Sequence, residues 1–222
     1  MKKLLNTLYI NSSERYLTLD GENVVIKESD REIGRIPLHN LEAIVTCGYA
    51  GASPALMGAC AERNVMLSFM TPYGRFLARV VGPECGNVIV RKTHYQYAED
   101  VDISLQIAKN FIIGKLYNSR WVIERATRDH ALQLDVVRLK KASAGIQETL
   151  KAVSGAENID SLRGLEGKAA DYYFSVFNEL ILQQKDSFSF HGRNRRPPLD
   201  NVNAMLSFSY SLVEGMCFSA LE

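Results

Sequence analysis

Cysteine, proline and unbalanced charge are all scarce in this sequence. Its four cysteines, Cys47, Cys60, Cys85 and Cys217, include no C-x-x-C pair. That suggests neither a zinc ribbon nor a disulfide framework, so the four are expected as reduced, buried thiols. No apolar run approaches the roughly 18 residues that cross a bilayer. The opening MKKLLNTLYINSSERYLTL also lacks a long apolar stretch with a small-residue cleavage site. The expectation is a cytoplasmic protein with no membrane contact. A formal net charge of +1 gives no global field for nucleic acid, so any phosphate-binding site has to be a local cluster. What is present is ordinary globular material: 46% hydrophobic and 23% charged residues over 222 positions, enough for two domains.

Up to about Val90 the chain offers short runs rich in β-branched and aromatic residues between turn signals, the pattern of strands. Strands are expected at Leu5 to Ile10, Arg15 to Leu19, Val24 to Lys27, Ile33 to Pro37, Ala43 to Cys47, Val65 to Met70 and Phe76 to Val81, with Asp20-Gly21-Glu22-Asn23 as a hairpin turn. One helix interrupts them, with Ser53 as N-cap, Pro54 at the first helical position and Ala55 to Glu62 following. Beyond Gly82-Pro83 the period lengthens. Ile103, Ile107, Phe111, Gly114, Tyr117 and Trp121 recur as the expected buried face of a long helix. Further helices are expected over Leu132 to Val153, over Leu162 to Leu182 with Asn158 and Asp160 as candidate caps, and from Asp200 onward. The fold class is α+β: a small β-rich N-terminal domain with one inserted helix over residues 1–88, a linker over 89–98, and an all-α C-terminal domain over 99–222.

Two segments carry chemistry. On a helix, Leu162, Glu166, Ala169, Tyr173, Val176 and Leu180 share one stripe, which places Glu166 where the pattern calls for an apolar or small residue. A carboxylate facing a core needs compensation. A divalent metal, a basic partner such as Lys168 or Arg163, or the wet edge of the stripe would each supply it. The second segment, Phe190 to Ser207, sets Arg193, Arg195 and Arg196 beside Gly192 and Pro197-Pro198, ahead of a helix start that favours anions. Phosphate is its natural guest; a solvated basic loop capped by Asp200 and Asn201 is the bland alternative.

The stretches LxGLEGxAAxxYF, at Leu162 to Phe174, and GRNRRPPxDxxNAxLSFxYxL, at Gly192 to Leu212, together resemble the integrase/nuclease subunit of CRISPR adaptation complexes. The order of a β-rich domain followed by a helical domain agrees with that family. The resemblance implies a divalent metal, Mg2+ or Mn2+, held by a Glu, a His and an Asp on neighbouring helices. Glu166 matches the Glu as catalytic residue and metal ligand, while the family's His and Asp lie beyond the second motif, in a region that this chain does not contain. His39, His94, His130 and His191 stand in no matching context and are expected at the surface or in turns, His191 being the one near a DNA path. Arg193, Arg195, Arg196 and Asn203 are the candidate DNA-binding residues, with Asn203, Ser207 and Tyr210 also read as ordering the loop and the helix. Tyr172 and Tyr173 are read as packing residues.

The resemblance further implies insertion of short DNA fragments into a CRISPR array, through attack of a 3'-hydroxyl on a phosphodiester. It implies a homodimer formed by the N-terminal β domain and a small ferredoxin-fold Cas adaptation subunit as partner. The last helical stripe, Val202, Met205, Ser209, Leu212, Met216 and Ala220, runs to Glu222 without a stop signal. A C-terminal truncation is therefore expected, leaving a fragment that binds metal weakly and is inactive, because catalytic magnesium shares its octahedral shell among several ligands. The alternative reading is a non-enzymatic dimeric DNA-binding scaffold; a third is an unrelated helical DNA-binding protein.

Overall fold

Seven strands precede a run of long helices in the structure, a computed structural model that describes residues 6–83 and 86–221. Leu5 and Cys85 lie outside the described residues. The expected α+β class, strands first and helices after, is what the chain adopts. The chain forms two compact units, Met1–Gly86 with Met205–Glu222, and Asn87–Ala204.

In the first unit, β2 (Arg15–Asp20), β3 (Asn23–Glu28) and β4 (Arg31–Pro37) form an antiparallel meander. Its first turn pairs Asp20 with Asn23, and Gly21 takes the positive φ of +58° that a two-residue hairpin loop demands. A second sheet runs β1 (Thr7–Ile10), β5 (Ala43–Cys47), β6 (Met66–Met70), β7 (Phe76–Arg79). Here β1 and β6 both pair parallel to β5, and α1 (Pro54–Glu62) makes the crossover. The cap on α1 is the expected one, with Ser53 accepting from the Leu56 amide at 3.3 Å. Leu17, Val24, Leu38, Ile44, Leu56 and Leu67 are wholly buried in the core that joins the two sheets to α1.

The second unit is helical. Residues 89–98, read as a linker, lie within α2 (Val88–Glu99), which buries none of its side chains. Asp100 ends α2 and caps α3 (Val101–Asp129), its carboxylate accepting from the Ile103 amide at 2.9 Å. Then come α4 (Val136–Val153), capped by Asp135 rather than beginning at Leu132, and α5 (Ile159–Ser175). On α5 Asn158 and Ser161 form a reciprocal capping box. After α5 the chain continues as a short 3-10 turn, Phe177–Leu180, rather than as one helix to Leu182. The last helix is α6 (Asn201–Leu221).

The buried face of α3 differs from the expected one. Leu105, Leu116 and Ile123 face the core with Leu139, Ile146 and Val153 of α4 and Leu162 and Ala169 of α5. Ile107, Phe111, Tyr117 and Trp121 are exposed, Phe111 at 74%. Both stripes recur at three to four residues, and the one that α4 and α5 cover is the one that is buried. The α5 stripe is as expected, with Leu162, Ala169 and Val176 buried and Tyr173 packed against the same core. Gly145 of α4 allows Tyr172 to pack closely, since a Cβ there would stand 2.7 Å from the ring. Of the described cysteines, Cys47 and Cys60 are buried as expected, burial raising both thiols above their ordinary pKa, whereas Cys217 is exposed.

Candidate functional site

Glu166 sits on the α5 stripe, turned toward α3, with its side chain 29% exposed. It is therefore neither sealed in apolar packing nor loose in solvent. Its carboxylate accepts a charge-assisted hydrogen bond from the ammonium of Lys115 on α3. The basic partners weighed from the sequence are placed elsewhere: Arg163 pairs with Asp160 at 3.1 Å, and Lys168 enters no ion pair with a described residue. Lys115 was invisible to spacing arguments because fifty-one positions separate it from Glu166. On the same helix as Glu166, a Cβ added at Gly164 or Gly167 would meet nothing within 4 Å.

Among the described residues no group of three His, Cys, Asp or Glu side chains converges on a point that could hold a metal ion. His39 lies in a 3-10 turn, His94 on α2, His130 just past α3 and His191 ahead of the basic turn. A single carboxylate matched by a lysine is not a donor set that fits Mg2+ or Mn2+, whose octahedral shell calls for several oxygens.

The basic turn is organised around Asn203, which is 0% exposed. Its Oδ1 accepts from Arg193 Nη1 at 2.8 Å and from the Asn194 amide at 3.1 Å. Its Nδ2 donates to the Gly192 carbonyl at 2.9 Å and to Asp200 Oδ2 at 2.7 Å. Asp200 in turn caps α6 by accepting from the Asn203 amide at 2.7 Å. Burial pushes the Asp200 carboxyl up, but the hydrogen bonds from Asn203 and Asn194 outweigh it and hold the group below its ordinary pKa.

The three arginines thus differ. Arg193 is half-buried and tied to Asn203 and to the Asn194 carbonyl, whereas Arg195 and Arg196 are exposed and enter no ion pair with a described residue. Of the two readings of Asn203, its geometry is that of a residue ordering the loop. Ser207 Oγ is buried with no hydrogen-bond partner among the described residues, and Tyr210 is exposed.

A cavity of about 610 Å³ opens beside this turn, lined among others by Arg138, Asp171, Phe174, Glu179, His191 and Arg193. Inside it Arg138 bridges Glu179, at 2.7 Å, and the Ser175 carbonyl, at 2.8 Å, at the end of α5. Asp171 and Phe174 of α5 line this cavity, and Glu166 is not among its lining residues.

With strands, helices, a seam carboxylate and a basic turn in place, the class is a two-unit α+β protein that exposes Arg195 and Arg196 on one ordered turn. The family model of CRISPR associated protein Cas1 matches residues 8–222, and the chain belongs to that family. CRISPR-associated endonuclease Cas1 1 of Chlorobaculum tepidum is 43% identical over the whole of this chain, which spans 65% of that relative's length. Among solved structures, a Cas1 protein from Thermotoga maritima superposes with a TM-score of 0.74 at 18% identity, covering 97% of this chain and 64% of that one. A casposase bound to integration product superposes at 0.75 with 23% identity, covering 98% of this chain and 61% of that one. At such identities the structural likeness establishes the fold. Among the described residues no helix is long and apolar enough to cross a membrane.

Proposed function

We propose that this chain carries the β unit, the basic turn and one active-site carboxylate of a metal-dependent DNA endonuclease/integrase that inserts short DNA fragments into a CRISPR array in the cytoplasm. The observation that supports the reading is the family match over residues 8–222, together with a carboxylate, Glu166, standing in the helical seam of α5. In this reading Glu166 is one oxygen ligand of Mg2+ or Mn2+, completed by His and Asp ligands from sequence that the longer relatives possess. Arg195 and Arg196 hold backbone phosphates, and Arg193, through Asn203, sets the shape of the turn that presents them. Phosphodiester exchange needs no protein nucleophile. It needs positioned cations and an attacking hydroxyl held in line, which suits a rigid turn better than a flexible tail. The β unit forms the homodimer, and a small ferredoxin-fold Cas subunit is the partner.

The test compares manganese-dependent cleavage of branched DNA by this chain and by a form lengthened by the relatives' remaining third. Activity in the long form alone, lost on Glu166→Ala, is the expected outcome. A long form that binds DNA yet never cleaves or joins it would sink the enzyme reading. In that event the dimeric DNA-binding scaffold stands, favoured by the exposure of Arg195 and Arg196. Sedimentation would then find a stable dimer whose DNA binding weakens with salt and ignores metal.

A further inference from the structure

Deepening the assignment of Glu166 just made, we infer that Lys115 is a built-in counter-ion that keeps divalent cations off Glu166 in this chain, so that metal entry requires the ammonium to be displaced. The residues present do not fit a divalent ion, and Lys115 is the positive reason. Its ammonium is hydrogen-bonded to Glu166 Oε1 from the neighbouring helix, on the side of α5 that faces α3. A metal bound at that oxygen would stand where the ammonium now stands.

The pairing is specific to Lys115. Arg163, on the same helix as the carboxylate, is engaged by Asp160, and Arg120, further along α3, points its guanidinium to Glu124 at 3.8 Å. The Lys115 side chain is 52% exposed, so it can swing into solvent without leaving a buried hole. Repulsion between an ammonium and an incoming dication is strong at contact distance and is reduced, not abolished, by partial exposure. Lys115 is thus a positioning residue: it holds the carboxylate in the seam and supplies there the positive charge that would oppose a dication.

The experiment titrates Mn2+ into this chain at low ionic strength, reading the electron paramagnetic resonance signal of free Mn2+, with folding checked by circular dichroism. Wild type, Lys115→Met, Lys115→Arg and Lys115→Met/Glu166→Gln are compared. Lys115→Met should gain about tenfold in affinity, the gain should vanish in the double variant, and Lys115→Arg should behave as wild type. If Lys115→Met fails to fold, Lys115→Gln removes the charge while keeping length and polarity. The inference is overturned if the charge-removing variant binds no more tightly than wild type, or if its gain survives Glu166→Gln. DNA cleavage by the lengthened form is a separate readout, so failure here and failure of the nuclease assignment are told apart.

Discussion

Asn203 illustrates how a single side chain can order a surface turn. Every polar atom of its amide is bonded, and it is fully buried. Asn203→Ala strips partners from Arg193 and from the Asn194 amide, and is expected to cost about 2 to 3 kcal/mol in denaturant unfolding. Arg195→Ala and Arg196→Ala remove no ion pair with a described residue and should leave stability within about 0.5 kcal/mol. Each should lower the slope of log affinity for duplex DNA against log salt by about 0.9 for the phosphate it releases. Arg193→Ala should instead lower stability as well. The cluster itself was legible in the sequence as three arginines beside a proline pair, but the division between one inward and two outward guanidiniums was not, because it follows from where Asn203 is buried.

At the scale of elements, α3 and α4 are joined by a polar node. Glu124 is held below its ordinary pKa by hydrogen bonds from Lys140 and Ser143. A lowered folded pKa means the stabilisation is fully present above the ordinary carboxylate value of 4.5 and is lost as pH falls through the folded value. Acid unfolding of wild type should therefore steepen below about pH 4.5, and Glu124→Gln should be less stable at neutral pH with a flatter acid limb. Where α4 meets α5, Gly145→Val forces a side chain into the Tyr172 ring. It should destabilise by about 1 to 3 kcal/mol, read as a fall in melting temperature. The beginnings of α1 and α5 were legible from their caps, Ser53 and Asn158, whereas that of α4 was not, although Asp135 caps it. The buried face of α3 was not, because two apolar stripes share its period and only the packing of α4 and α5 selects one.

For the whole molecule, the chain spans 65% of a relative that is 43% identical to it, and metal binding is where that difference should register. A form lengthened by the remaining third should gain a Mn2+-dependent rise in melting temperature, since a ligand at 100 times its Kd adds about 2.7 kcal/mol. This chain should gain none, and Glu166→Ala should remove the rise from the long form; an equal rise in both would contradict the incomplete donor set. By itself the sequence determined the α+β order, the hairpin, the caps of α1 and α5, and, through two motifs, the family, because each is written in residues close together along the chain. Only the tertiary structure decided that Lys115 answers Glu166, that Arg193 turns inward, and which face of α3 is buried. Those outcomes depend on which helices come to lie side by side, and contacts fifty-one residues apart leave no period in a sequence.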